Sequence, residues 1–448
     1  MLILHPQSRF RKILSSMPSN ASTKLAAPTA KTAKATKTPV AGQGRATRPL
    51  VHDIIVVGAG LAGLIQTRML QRLGLRVHLV DPRERSALLA PSNDRRASTL
   101  TPASVALLEL PQSWLVSRGQ RIETMVVDAG VGPQLTDSEA LRLESGAWVV
   151  SNSELAAFLV EDIDLDGVRG DGHFGQAVTA SATTPGRRLI SCADGSELSA
   201  RLVIAADGRH SILRRADKIQ QQVQDFRQTA LTGIIHHEAP HEGRAFQRFL
   251  RRGTFALLPL PGDGHSSSFI WVEPSASAST RTSASRRKGE GLFSLEPAIL
   301  IERMQARIGD TLGRLSKTGN EDWGQFPLFS HSCDRITGER LALIGEAAHS
   351  IHPLAGQGLN LSIKDAAALT SVIVEQRRHG LDHGDAQALE RYQRARRAET
   401  TRMAGLTAGL NALFTQSDGP LRAVAAVGLR TLDRIGPLKA VLEREARR

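Results

Sequence analysis

The chain has 448 residues, 41% hydrophobic and 4% aromatic, with two cysteines and a single tyrosine. That length allows two or three domains, no apolar run approaches the ~18 residues of a membrane span, and two cysteines exclude a disulfide framework or a thiolate metal site. The net charge of +13 suggests nucleic acid until it is located: residues 1–50 hold nine Lys/Arg and no acid, leaving 48 basic against 44 acidic residues, with no basic stripe interleaved with aromatics.

In chain order, residues 1–50 are rich in Ala, Thr, Ser, Lys and Pro and read as a disordered basic extension. The acid-free, more amphipathic start from Met1 to Ser16 also fits an organellar transit peptide, and Met17 fits as an alternative start. From Val51 the pattern is strand, turn, helix, strand. Asp53–Val57 is a short apolar run suited to a buried parallel strand, Leu61–Leu73 is helical, and Arg76–Val80 is a second strand. Further strands are expected at Leu202–Ala206 and Leu341–Ile344, each ending at a glycine-bearing motif. Thr229–Val272 alternates short β-like runs with turns, and Pro274–Gly289 reads as a solvent loop. The chain from about Asp385 onward is helical, broken at Gly419-Pro420 and Gly436-Pro437.

Three separated motifs carry chemistry. In Gly58-Ala59-Gly60-Leu61-Ala62-Gly63, Gly58 permits the tight strand-to-helix turn, Gly60 lets the backbone approach a pyrophosphate, and Gly63 allows close packing of helix on strand. Asp81, ending the second strand, is placed to accept from ribose hydroxyls, and an acid there argues against a 2′-phosphorylated nucleotide. The second motif, Ala205–Ser211 with Asp207-Gly208, follows an apolar strand and is distinguished from an ordinary Asp-Gly turn by that strand and by the Ser211…Arg214 spacing. The third runs from Leu341 through Gly345-Glu346 and His349 to His352-Pro353-Leu354-Ala355-Gly356-Gln357-Gly358-Leu359-Asn360 and Asp365. Glu346, at the end of a strand, can accept from hydroxyl groups, and the N–H groups around Gly358–Asn360, where a helix opens, can stabilise negative charge on a bound cofactor. His349 and His352 lack further ligands at zinc spacing, so no metal is expected there.

In this order the motifs resemble those of the group A flavoprotein aromatic hydroxylases, with the fold of para-hydroxybenzoate hydroxylase. The His352–Leu361 segment followed by Asp365 looks like the signature of the UbiH-type ubiquinone-biosynthesis ring hydroxylases. Asp94–Leu100 resembles the family's DxRxxAL segment, which places Arg96 by the flavin; Gly146–Asn152 resembles the strand and turn before a helix near the cofactor. The departures are Glu346 for a usual Asp, Ser362 for a usual Gly, Phe226 for a common Tyr, and Ser153 for a typical Arg.

The resemblance implies an α/β fold: a Rossmann-like FAD-binding domain of glutathione-reductase type (51–130, 150–218 and 335–395), an inserted mostly antiparallel substrate domain (131–149 and 219–334), and a C-terminal helical region (396–448). It implies FAD, a transient NAD(P)H or redox-protein donor, oxygen, and a flavin C4a-hydroperoxide that hydroxylates a polyprenylated phenol. Pro353 offers its backbone carbonyl near the substrate, and His352 is a candidate for activating the phenol, because Tyr392 lies in the helical region. A nearly insoluble substrate implies a membrane surface or an assembly with other ubiquinone-biosynthesis proteins. The expected location is the bacterial cytoplasm, peripheral to the inner membrane, or else the mitochondrial matrix face. Apolar residues such as Leu406, Leu410 and Leu413, interleaved further on with Arg422, Arg430 and Arg434, suit such a surface as well as packing on the enzyme's own core. Two alternatives stand beside this reading: a hydroxylase of a small soluble aromatic, and a flavoprotein-fold scaffold with weakened FAD binding.

Overall fold

A computed structural model describes residues 50–90, 96–130, 135, 140–167, 170–251, 253–275, 292–317, 323–352 and 356–413, with 427–428, 431, 439–440, 443–444 and 447. The basic extension, Asp94 and Arg95, the Pro353-Leu354-Ala355 segment, most of the 274–289 loop and nearly all of the C-terminal region after residue 413 lie outside these described residues.

The elements that build the site are, in order, β1 (Leu50–Val57), α1 (Leu61–Arg72), β2 (Val77–Asp81), β3 (Gly170–Phe174), β4 (Glu197–Ala205), β5 (Gln221–His237), β6 (Gly324–Cys333), β7 (Leu341–Leu343), β8 (His349–Ser350), α2 (Gly358–Arg378) and α3 (Ala386–Asn411). Among the described residues one sheet runs in the order Thr337–Gly338, β7, β4, β1, β2, β3, with the hairpin of Val178–Thr184 and Arg187–Cys192 attached to β4. The pairings β7–β4, β4–β1, β1–β2 and β2–β3 are all parallel. Because α1 carries the chain back from the end of β1 to the start of β2, the two strands can only run the same way.

β1 shows why this sheet is central. Ile54 and Val56 face one hydrophobic cluster, with Leu64, Ile65 and Leu70 of α1 and Ile363, Leu369 and Ile373 of α2. Ile55 and Val57 face another, with Val203, Ala205, Leu341 and Leu343. The period-two alternation sends successive side chains to opposite faces, and both faces are covered. Each such fully buried side chain contributes about 1.5–3 kcal/mol.

The second sheet runs β8, β6, β5, Ser266–Pro274, Gly253–Pro259, Arg244–Leu250, Thr124–Asp128, Leu141–Glu144, with Leu315–Ser316 beside β5. Its pairings are antiparallel except that of Arg244–Leu250 with Thr124–Asp128. Phe255, Leu257, Phe269 and Trp271 line its buried face against Leu300, Met304 and Ile308 of the Pro297–Ile308 helix. A three-stranded sheet (Ala97–Leu100, Trp148–Ser151, Gly119–Arg121) completes the architecture.

Three stretches cross the expected domain limits. Thr124–Asp128, grouped by sequence with the FAD-binding segment 51–130, instead extends the antiparallel sheet; nothing in a five-residue β-run says which sheet it joins. β8 belongs in sequence to the 335–395 segment but pairs with β6, Ser350 opposite His331, so the two sheets are stitched together there. α3 is continuous through the expected break at 395/396, starting at the Asp385 cap, whose carboxylate accepts from the Gln387 and Ala388 N–H groups.

The first turn is held by close backbone approach. Gly58 has φ +102°, and a side chain there would lie 2.4 Å from the Ala206 carbonyl oxygen; at Gly63 a Cβ would lie 1.8 Å from the Gly58 carbonyl oxygen. Neither neighbour is a movable side chain, so α1 would have to be pushed off β1. Gly63→Ala is therefore expected to cost about 2–3 kcal/mol or more, read as a lowered midpoint in denaturant unfolding. A midpoint equal to that of the wild type would refute the close-packing account.

Candidate cofactor and active site

The strand register brings the three motifs to one edge. Val57 lies level with Ala205 and with Val80, and Ala205 with Leu343. The ladder runs one step past each strand: Gly58 N donates to Val80 O (2.7 Å), Ala206 N to Val57 O (2.8 Å) and Ile344 N to Ala205 O (3.0 Å). The turns beginning at Gly58, Ala206 and Ile344 thus leave the sheet side by side at its carboxyl edge, where open α/β sheets bind ligands.

This edge fits a dinucleotide in three respects. Gly60 begins α1 without a side-chain cap and without an acid in the first turn, leaving the helix N–H groups and the positive end of the dipole for an anion. A side chain at Gly60, Gly208 or Gly358 would meet no protein atom within 4 Å, so the backbone faces open space at all three. Asp207 accepts from Ile212 N through Oδ2 (2.9 Å), while Oδ1 is buried with no hydrogen-bond partner among the described residues. Burial raises the pKa of this carboxyl, and an orphaned acceptor suits a hydroxyl donor.

Asp81 is 4% exposed. Its Oδ2 accepts from Ala59 N (2.5 Å), its Oδ1 accepts from the backbone N and Nε of Arg83 (2.9 and 2.8 Å), and Arg83 Nη2 donates to Ala59 O (2.9 Å). The carboxylate expected to serve a ribose here organises the glycine turn itself, and Arg83 shares its position. No motif in the sequence singles out Arg83.

The third motif touches the first: a Cβ on Gly345 (φ +56°) would lie 3.0 Å from the Cβ of Ala62 in α1. Glu346 is exposed in the following turn, and its carbonyl oxygen accepts from His331 Nε2 (3.0 Å). Arg214, 3% exposed, donates to Ala347 O (2.8 Å) and Gln221 Oε1 (3.0 Å), tying the second motif to the third. Only the Ser211…Arg214 spacing hinted at it. Gly356 (φ +58°) lies against Thr99, and Gln357 begins α2 with no side-chain cap. Leu359 is partly buried, whereas Asn360 is enclosed: its Oδ1 accepts from Thr101 N (3.1 Å) and its Nδ2 donates to Thr99 O (2.8 Å). Asn360 thereby pins the Ala97–Leu100 strand to the start of α2, and the exposed Arg96 immediately precedes that strand.

His352 is 1% exposed, with Nε2 3.1 Å from Gln228 Oε1 and its ring edge-on to Phe226 at 4.7 Å between centroids. Burial lowers its pKa to about 4, so the ring is neutral near pH 7; Nδ1 is buried with no hydrogen-bond partner among the described residues. Pro353, the other candidate at this position, lies outside the described residues. Tyr392 is fully buried and donates to Leu343 O (2.8 Å), a structural role.

Beneath the edge sits Asp365, with no exposed surface. Its Oδ2 accepts from Gly345 N (3.0 Å) and His349 Nε2 (2.7 Å), and its Oδ1 accepts from Arg396 Nε of α3 (2.7 Å). Glu399 in turn holds Arg396 and Lys364. Burial alone would raise the Asp365 pKa, but His349 and Arg396 overrule it and bring it to about 2. His349, where no metal was expected, is thus a hydrogen-bond partner of this carboxylate.

A family profile described as "FAD binding domain" matches residues 52–407. The ubiquinone hydroxylase UbiL of Rhodospirillum rubrum is 30% identical over 414 residues, covering 88% of this chain and 89% of that protein. The mitochondrial ubiquinone biosynthesis monooxygenase COQ6 of Xenopus tropicalis is 27% identical over 443 residues, covering 89% and 94%. Among solved structures, p-nitrophenol 4-monooxygenase PnpA from Pseudomonas putida superimposes with a TM-score of 0.70 at 16% identity, covering 89% of this chain and 99% of that one, a likeness of fold.

Removing one member of the buried Asp365 pair leaves the other uncompensated, so Asp365→Asn is expected to destabilise by about 3–5 kcal/mol. Because the folded pKa lies below the unfolded value of ~3.9, the wild-type contribution is full above pH ~4 and is lost as pH falls towards about 2. Urea unfolding at pH 7 and pH 3 tests both: the wild type loses part of its advantage over Asp365→Asn at the lower pH, and a pH-independent difference refutes the assignment.

Proposed function

As the chain belongs to the FAD binding domain family and is an FAD-dependent monooxygenase related to the ubiquinone ring hydroxylases, we propose that it hydroxylates the aromatic ring of a polyprenylated phenol in ubiquinone biosynthesis. The observation that carries this reading is the convergence of the three motif turns on one sheet edge, with His352 lodged between that edge and the antiparallel sheet. Relatives named for ubiquinone hydroxylation align over nearly the whole chain, antiparallel sheet included.

In this reading Gly58, Gly60 and Gly63 with the α1 N-terminus take the pyrophosphate, while Asp81 and Arg83 sit at the adenosine end. Asp207 with Gly208, and Gly345 with Glu346, meet the hydroxyls of the linking chain; the longer Glu346 keeps the charge of the usual Asp on an exposed turn. The N–H groups from Gly356 through Gln357, Gly358, Leu359 and Asn360 lie at the pyrimidine end, and Arg96 borders the ring. Bound FAD supplies the oxygen activation. The chain's own work is to exclude water, hold the phenol, and receive its proton. Neutral His352 suits the last of these: with Nε2 engaged by Gln228, Nδ1 is left as the group to meet a phenol hydroxyl. Electrons come from NAD(P)H bound transiently, or from a redox protein. The 51–130, 150–218 and 335–395 segments chiefly hold the cofactor, and 131–149 with 219–334 the substrate.

No helix among the described residues is long and apolar enough to cross a membrane. A polyprenyl phenol is nearly insoluble in water, so it is met at a membrane surface or in an assembly. Leu406, half exposed on α3, begins the apolar series suited to such contact.

A strain lacking the gene is expected to accumulate a prenylated phenol and lose its quinone; a normal lipid profile sinks the pathway reading. Purified protein is expected to be yellow and to bleach with NAD(P)H or a reduced redox protein. His352→Ala should lower kcat by roughly 10²-fold while leaving FAD affinity intact. Unchanged turnover and an unchanged pH profile would remove His352 from the mechanism.

A further inference from the structure

His352 is held by β5 of the antiparallel sheet, and β5 is irregular at the place where it does so. Its pairing with β6 shifts register between Asp225, opposite Phe329, and Gln228, opposite Leu328, so Phe226 and Arg227 are looped out of that pairing. Arg227, whose side chain is exposed, has φ +51°. A residue other than glycine adopts this left-handed backbone at a cost, and its neighbours hold it there. Asp225 Oδ1 accepts from Arg227 N (2.8 Å), and Arg227 O accepts from Ser275 N (2.9 Å). Bulges of this kind re-aim side chains beside active sites. Here the buried Phe226 and Gln228 both meet the His352 ring. Phe226 lies edge-on to it, with planes at 89°, and Gln228 Oε1 lies 3.1 Å from Nε2.

That hydrogen bond decides which ring nitrogen carries the proton. An amide oxygen only accepts, so Nε2 is the donor and Nδ1 keeps the lone pair. The other tautomer would set two lone pairs against each other at 3.1 Å. It would also leave an unmet N–H at Nδ1, which is buried with no hydrogen-bond partner among the described residues. Gln228 is 4% exposed and His352 1%, so water does not compete for the bond. Burial is the one cause lowering the His352 pKa, and no charged side chain among the described residues adds to it.

We propose that Gln228 is a positioning residue: its Oε1 fixes His352 in the tautomer with the proton on Nε2 and the lone pair on Nδ1, and the β5 bulge aims it there. This rests on the reading of His352 as the group that receives the phenol's proton. In that step the phenol O–H breaks and Nδ1–H forms, giving an imidazolium whose Nε2–H still points at Oε1. The same bond therefore steadies the charged ring. A ring held in the other tautomer presents a donor where an acceptor is needed, so the loss falls on turnover rather than on binding.

Nitrogen-15 NMR of the full-length, FAD-loaded enzyme labelled at histidine tests this, with the His352 signals assigned by their loss in His352→Gln. Turnover of a short-chain prenylated phenol is followed against pH beside it. The resting wild type is expected to show His352 protonated at Nε2. Gln228→Met, of similar volume, is expected to give mixed tautomers and a kcat lower by roughly 10–100-fold at little-changed KM. Gln228→Glu still accepts from Nε2, so it keeps the tautomer and recovers most of kcat above neutral pH. Its carboxylate favours the protonated ring, which moves the acid limb of the profile to higher pH. A wild-type ring protonated at Nδ1 overturns the proposal, and so does an unchanged tautomer in Gln228→Met. Enzyme that shows the expected tautomers but turns over no prenylated phenol sinks the substrate reading and still supports the placement by Gln228, because the NMR needs no substrate.

Discussion

A parallel sheet delivers all its turns to one edge, and the cofactor site depends on that constraint. Val57, Ala205 and Leu343 are level across three adjacent strands, so segments separated by more than a hundred residues each leave the sheet at the same height. Shifting β7 by one residue would turn its side chains to the opposite face and carry Gly345 away from Ala62. The packing of Ile54 and Val56 on one face and Ile55 and Val57 on the other specifies register and edge together.

Turns that meet at an edge still need to be held in shape, and here buried polar groups do it. Asp81 organises the first turn through Ala59 N and Arg83, Arg214 joins the second to the third, and Asp365 grips the third from below. The side chains of Asp81, Arg214 and Asp365 are nearly or wholly out of water. A buried charge is costly unless paired and hydrogen-bonded, so this arrangement exists only when its partners from distant elements, such as Arg396 of α3, are in place. The consequence is coupling: α3 contributes to the third turn through Arg396 and Asp365.

Neutral histidines form a second theme. His352, His331 and His52 are all pushed down to about 4 by burial, and so act near pH 7 as hydrogen-bonding or ligating groups rather than charges. His331 supports the Glu346 carbonyl and Ser350, whereas among the described residues one ring nitrogen of His352 and one of His52 has no hydrogen-bond partner.

The sequence by itself determined what depends on neighbours in the chain: the apolar runs of β1 and β4, the glycines whose missing side chains permit Gly58–Gly63 to turn and pack, and the motif order that identifies the cofactor. These were legible because strand alternation, turn chemistry and backbone freedom are local properties. Tertiary structure alone decided which sheet Thr124–Asp128 would join, that β8 would stitch the two sheets, and that Asp81 would be shared with Arg83. It also brought Gln228 to His352, Arg396 to Asp365 and His52 to His78. None of these pairs has a characteristic spacing, since each joins residues from separate elements whose proximity follows from sheet order and helix packing. Their charge state follows from burial, and burial is a property of the folded chain.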